Sequence, residues 1–179
     1  MARMTIDGFG QVELNNVAFR RDGRIEAQCA LSTVDFANVP AENGMILRVK
    51  KADHEICFCD ASEANQLYAL NYTSEHMYDE RHPGLKNFKV EALNDFYPRV
   101  GYLSAGDLWT SNCVDLGTYA NASAVASALA SGTVYAAAGT QGAPVLSSAA
   151  PTVGPVLQVI KKTTMPDGTD GFQFQVLSV

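Results

Sequence analysis

Charge is what this chain lacks over its longest stretch. Between Asp115 and Lys161 there is no Asp, Glu, Lys, Arg or His. The surface of a soluble monomer intersperses charges of both signs. A long uncharged run rich in Ala, Ser, Thr and Gly is too polar to span a membrane and too apolar for a solvated linker. It suits a segment that lies against other protein, in its own core or in a crowded assembly.

Basic residues are scarce as well. Charged residues make up 18% of the 179 positions and the net charge is −6, against a usual charged share of about 25%. Non-specific nucleic-acid binding rests on Lys and Arg neutralising phosphates. The densest basic spots here are only the pairs Arg20-Arg21 and Lys50-Lys51, so no nucleic-acid partner is expected. An apolar run of the ~20 residues that a membrane span requires is also missing, and no membrane partner is expected. The first residues, MARMTIDGFGQVEL, show no apolar signal-peptide core. Synthesis and retention in the cytoplasm, or inside something larger, is the expectation. The four cysteines, Cys29, Cys57, Cys59 and Cys113, are then expected as free thiols.

Catalytic signatures are missing too. There is no Gly-x-Ser-x-Gly elbow and no Walker motif. Gly8-Phe9-Gly10 begins like a dinucleotide fingerprint, but Glu13 stands where the third glycine belongs. His54, Cys57 and Cys59 lie close together and are the one soft-ligand cluster a metal could use. Cys57 and Cys59, two apart on a strand, share a face. Zinc sites favour Cys pairs two to four residues apart with a second pair downstream, and His76 and His82 do not supply that spacing. Two buried small hydrophobes are the simpler account of the cysteines. Asp79-Glu80 decorates a polar loop, and Asp167 with Asp170 builds a turn without the terminal Glu of a calcium loop. Neither catalytic residues nor a cofactor nor a metal are assigned, and the chain is expected not to be an enzyme.

What is present is β-pattern. Val12, Leu14, Val17 and Phe19 precede Asp22-Gly23, a hairpin signal, and Ile25, Ala27, Cys29 and Leu31 alternate after it. The reading is a hairpin over residues 11–31, with a bulge or break at Asn15-Asn16. Met45–Val49 and Ile56–Cys59 read as strands around a turn at 51–54. Leu67–Thr73 reads as a strand with Tyr68, Leu70 and Tyr72 on one face, after a brief helical turn at 61–66. A polar loop covers 74–87, and Phe88 and Val90 mark another strand. A long ordered loop then closes into a strand near Leu108–Val114. Residues 121–131 are helix or extended chain. Thr133–Ala138 and Ala143–Leu146 read as strands. Val156–Thr164 and Phe172–Leu177 form a terminal hairpin with Phe172, Phe174 and Val176 buried.

The fold class expected is therefore mainly β, with two small β-rich lobes: an N-terminal one over residues 1–108 and a C-terminal one over 109–179. The second is expected to be a compact barrel or sandwich closed by the terminal hairpin. Tyr97, Tyr102 and Trp109 stand in a Gly- and Pro-containing stretch, where such rings serve either as interface anchors or as anchors of their own core. With Met4, Ile6 and Phe9 of a possible N-terminal arm, they form the candidate assembly interface.

Two segments, GYLSAGDLWTSNCVDLG (101–117) and APTVGPVLQVIKKTTMPDGTDGFQFQVL (150–177), resemble small head proteins of tailed bacteriophages, the capsid decoration, cement or auxiliary head proteins. The resemblance covers roughly the second half of the chain and carries no catalytic motif. It implies a structural virion protein, a β-rich module that binds the outside of an icosahedral shell and stabilises it. The major capsid protein and further copies of the chain itself would be its partners. The location implied is the capsid surface, after synthesis in the host bacterial cytoplasm. The competing expectations are a tail, neck or fibre component, a small cytosolic metal-binding protein or enzyme using His54, Cys57 and Cys59, and an oligonucleotide-binding barrel.

Overall fold

The computed structural model describes residues 10–63, 65–73, 89–90 and 97–179. The chain is mainly β. In order it forms β1 (Val12–Asn16), α1 (Ala18–Asp22), β2 (Ile25–Glu26), β3 (Ala30–Leu31), β4 (Ala41–Glu42), β5 (Ile46–Lys50) and β6 (Glu55–Phe58). There follow β7 (Tyr68–Asn71), β8 (Lys89–Val90), β9 (Val100–Tyr102) and β10 (Leu108–Ser111). The last part holds α2 (Ala122–Ser131), β11 (Val134–Ala137), β12 (Val145–Ser147), β13 (Val156–Thr164) and β14 (Asp170–Ser178).

These strands build two six-stranded sheets and one small pair. The first sheet runs β1-β10-β14-β13-β11-β12 and is antiparallel throughout. The second runs β2-β9-β7-β5-β6-β3, antiparallel except for the parallel edge pair β3–β6. β4 pairs with β8. The second sheet draws only on residues N-terminal to 108. β1 also lies before that boundary, yet it is an edge strand of the first sheet, paired to β10.

Alternation explains how the sheets meet. Phe172, Phe174 and Val176 of β14 point inward, with Leu157 and Val159 of β13 and Trp109 of β10. They share one buried cluster with Ile46, Tyr68, Leu70 and Tyr72 from the second sheet, as period-two strands require. The opposite face of the second sheet buries Leu47, Val49, Ile56, Ala69 and Val100 beneath Leu31, Phe36 and Ala41. β5 and β7 are thus covered on both sides, which is why the four residues of β7 are all buried.

Several sequence expectations match these elements. The β5–β6 pair, the β7 face of Tyr68 and Leu70, and the terminal β13–β14 hairpin are formed. The slip at Asn15 is a register shift in the β1–β10 pairing. The stretch 121–131 resolves to helix: Asn121 caps α2 by accepting the Ala124 N–H on its side-chain oxygen at 2.9 Å, the bond a helix start favours. Ala122 and Val125 are its buried residues.

Other expectations are corrected. Residues 11–31 are not a hairpin. Asp22-Gly23 ends the short helix α1, where Gly23 takes φ 69° in the left-handed region and its N–H reaches the Phe19 carbonyl. A helix C-terminus and a tight hairpin demand the same left-handed residue, so Asp-Gly alone does not separate them. Burial of the Phe19 ring against Tyr72, with ring centroids 5.3 Å apart, favours the helical turn. The alternation after Gly23 also breaks: the Glu26 carboxylate accepts the N–H groups of Ala27 and Gln28 at 3.1 and 3.0 Å. That local turn splits the run into β2 and β3, which join different neighbours. The long loop expected before Leu108 contains β9, an interior strand of the second sheet. Among the described residues of 61–66 there is turn but no helix. The polar loop at 74–87 lies outside the described residues.

Candidate assembly interface

The structure separates the aromatic residues singled out from the sequence. Met4, Ile6 and Phe9 lie outside the described residues. Tyr97 is 53% exposed. Tyr102 belongs to β9, where its hydroxyl donates to Glu26 Oε2 at 3.3 Å and Lys51 Nζ stands 5.3 Å from its ring centroid. Lys51 also lies 3.5 Å from Glu26 Oε2. Burial raises the Tyr102 hydroxyl. Burial also acts to raise Glu26, but the N–H of Gln28, the Lys51 charge and the N–H of Ala27 outweigh it and hold the carboxyl below its ordinary range. Trp109 has no exposed surface and packs on Phe174 at 5.7 Å between ring centroids. It anchors its own core, so within the folded chain it offers no surface to a partner. The three rings therefore do not form one patch.

The His54, Cys57 and Cys59 cluster is not assembled into a ligand set. His54 sits at φ 54° in the β5–β6 turn, where its carbonyl accepts the Ala30 N–H at 3.0 Å. Ile56 and Phe58 face the second core cluster, so Cys57 and Cys59 point the other way. Cys59 Sγ donates to the Ile46 carbonyl at 3.4 Å. Burial pushes the Cys57 thiol up and the Cys59 thiol up to about 12, which disfavours the thiolate that binds metal or attacks a substrate. Among the described residues no group of three or more His, Cys, Asp or Glu is disposed to hold a metal ion.

The surface that the fold does assemble is the outer face of the first sheet. Since Phe172, Phe174 and Trp109 point inward, their neighbours Gln173, Gln175 and Thr110 lie on the outer face, the two glutamines half-buried and Thr110 buried. Register then lines residues up across strands. One row reads Leu108, Gln175, Gln158, Tyr135 and Ser147 over β10, β14, β13, β11 and β12. It carries no charge. The next row reads Glu13, Thr110, Gln173 and Lys161 over β1, β10, β14 and β13. Asn15 Oδ1 accepts the Thr110 hydroxyl at 2.8 Å and the Gln173 amide at 3.3 Å, tying this row together. The carboxamides of Gln158 and Gln175 engage no other group among the described residues.

The charge-free stretch adds to the surface elsewhere. Ser123, Ser127 and Ser131 are exposed on α2, Thr140 and Gln141 between β11 and β12, and Ser148, Ala149, Thr152 and Val153 ahead of β13. Part of the stretch fills the core, through Val125, Val134, Ala136, Leu146, Leu157 and Val159. The rest is solvent-facing without a charge. The alternation of Gln173 and Gln175 with the phenylalanines was readable in sequence. Their alignment with Gln158, Thr110 and Glu13 had no local signal.

In comparisons with known proteins, the chain matches no family model, no curated protein and no solved structure. Among the described residues no helix is long and apolar enough to cross a membrane.

Proposed function

We propose that this chain is a structural virion protein that binds the outside of a tailed-phage icosahedral capsid and stabilises it. The observation that carries the reading is the exposed part of residues 116–160, which presents surface with no Asp, Glu, Lys, Arg or His. Water strongly solvates charges, and a partner must strip that water away before contact. A surface of Ser, Thr, Gln and Ala imposes less of that cost. Small side chains also let backbones approach closely. Such a surface suits contact with the major capsid protein and with neighbouring copies of the chain.

The mechanism is linkage and needs no chemistry. A module that binds the closed shell in preference to its opened or dissociated subunits stabilises the shell by mass action. Many copies bridging adjacent subunits raise the effective concentration of each contact, so weak single contacts sum to a durable coat. The resemblance of residues 101–117 and 150–177 to auxiliary head proteins points the same way, and the burial that disfavours the thiolates of Cys57 and Cys59 weighs against the metal alternative.

The test is cosedimentation of the purified chain with heads of the phage that encodes it, stripped of their own decoration. Saturable binding and a higher temperature of head opening are expected. Heads that sediment without the chain and open at an unchanged temperature remove the reading.

A further inference from the structure

We propose that the outer face of the first sheet is the docking surface for a second copy of this chain, packed face to face about a two-fold axis that runs along the strands at the β10–β14 seam. The row Glu13, Thr110, Gln173, Lys161 carries one negative end and one positive end. Both end residues are exposed, and neither forms an ion pair with any other described residue. Within one chain they stand three strand spacings apart, about 14 Å, too far to pair with each other.

A two-fold axis on that seam exchanges β10 with β14 and β1 with β13. Lys161 of one copy then lies over Glu13 of the other, twice per dimer, and Gln173 lies over Thr110. Each chain carries a net charge of −6, so two copies repel through most orientations. On this face the charges of one copy cancel and complement those of the next. Sheets stack with about 10 Å between them, within reach of a lysine and a glutamate extended toward each other. In the adjacent row the same operation sets Gln158 of β13 over Asn16 of β1, and two carboxamides can each donate and accept across an isologous contact. The inference deepens the assembly reading above by naming where copies meet, but it needs no capsid, so each can fail alone.

The experiment is sedimentation velocity on the full chain without heads, over a concentration series, for the wild type, Glu13→Lys, Lys161→Glu and the reciprocal double variant. Both positions are exposed, and circular dichroism checks that each variant is folded. The wild type is expected to dimerise. Each single variant opposes like charges twice and is expected to weaken the dimer ~10-fold or more. The double variant restores the pairing with signs exchanged and is expected to recover the wild-type dimer to within about threefold. A wild type that stays monomeric across the series overturns the proposal. So do single variants that associate like wild type, or a double variant no better than the singles. Loss of head binding in Lys161→Glu with a monomeric wild type assigns the face to the shell instead, and overturns the second copy as its occupant.

Discussion

The carboxylate of Asp107 accepts the Ala18 N–H at 2.6 Å, joining positions 89 residues apart. Its other oxygen accepts the Ser104 N–H at 2.8 Å. The backbone of Asp107 accepts the Val176 N–H at 2.9 Å. One residue thus secures the start of α1 and the turn before β10 through its side chain and, through its backbone carbonyl, the C-terminal part of β14. Asp107 is only 2% exposed. Removing the carboxylate leaves two amide donors without their acceptor, and Asp107→Ala is expected to destabilise the fold by about 2–4 kcal/mol. Asp107→Asn keeps one accepting oxygen and should cost less. Urea denaturation at constant pH measures both, and an Ala variant within about 0.5 kcal/mol of wild type would show that this contact holds nothing together.

Gly101 lies against the face of the Phe19 ring, and a Cβ placed there overlaps the ring. Phe19 is fully buried. Gly101→Ala is expected to cost about 1–3 kcal/mol through overpacking. Phe19→Ala removes the overlapping ring atoms Cγ, Cδ2 and Cε2, so the double variant should cost less than the sum of the singles. Additive costs in thermal unfolding would contradict the assigned contact.

Burial pushes the thiols of Cys59 and Cys113 up to about 12, from a reference of 9.0. With the folded value above the unfolded one, the stabilisation is fully present below pH 9 and is lost as the pH rises toward 12. In that window the unfolded chain binds fewer protons than the folded one, so stability falls by up to about 1.4 kcal/mol per pH unit for each thiol. Chemical denaturation at pH 8 and at pH 10 measures the slope. Cys59→Ala and Cys113→Ala should each flatten it, and a slope unchanged in the double variant would refute the assignment. Labelling of these two thiols at pH 8 should follow unfolding.

Trp109 is the only tryptophan, and its indole Nε1 finds no hydrogen-bond partner among the described residues. Its fluorescence should be blue-shifted and weakly quenched by acrylamide in the native state, then shift to the red in one step on unfolding. Trp109→Phe loses volume but also removes an orphaned donor. Its cost should be about 1–2 kcal/mol, below the about 3–5 kcal/mol of Trp109→Ala. Chemical denaturation ranks the two variants, and equal costs would count against an unsatisfied indole.

The terminal hairpin was legible because its instructions are local. Asp167-Gly168 supplies the turn, with Gly168 at φ 88°, and Phe172, Phe174 and Val176 alternate with polar neighbours. The same local logic marked β5, β6 and β7. It failed at Ala18–Asp22, where Phe19 is buried by the turn of a helix instead of by a strand. It failed again at Val100–Tyr102, where Gly and Pro suggested a long loop while the chain runs β9 through the interior of a sheet. The candidate interface was legible only as a deficit of charge. The row that joins Glu13 to Lys161 could not be read, because it needs the order of four strands drawn from both ends of the chain.

The amino-acid order by itself determined the strand periods, the phase slip across Asn15-Asn16 and a charge-free stretch from 116 to 160. These depend on backbone sterics and side-chain polarity within a few residues. Only the tertiary structure decided that β1 pairs with β10, that β2 and β3 part company, and that Thr110 stands beside Gln173. Strand neighbours distant in sequence are chosen by which pairing buries the shared core, and that free energy belongs to the whole chain and to no single segment of it.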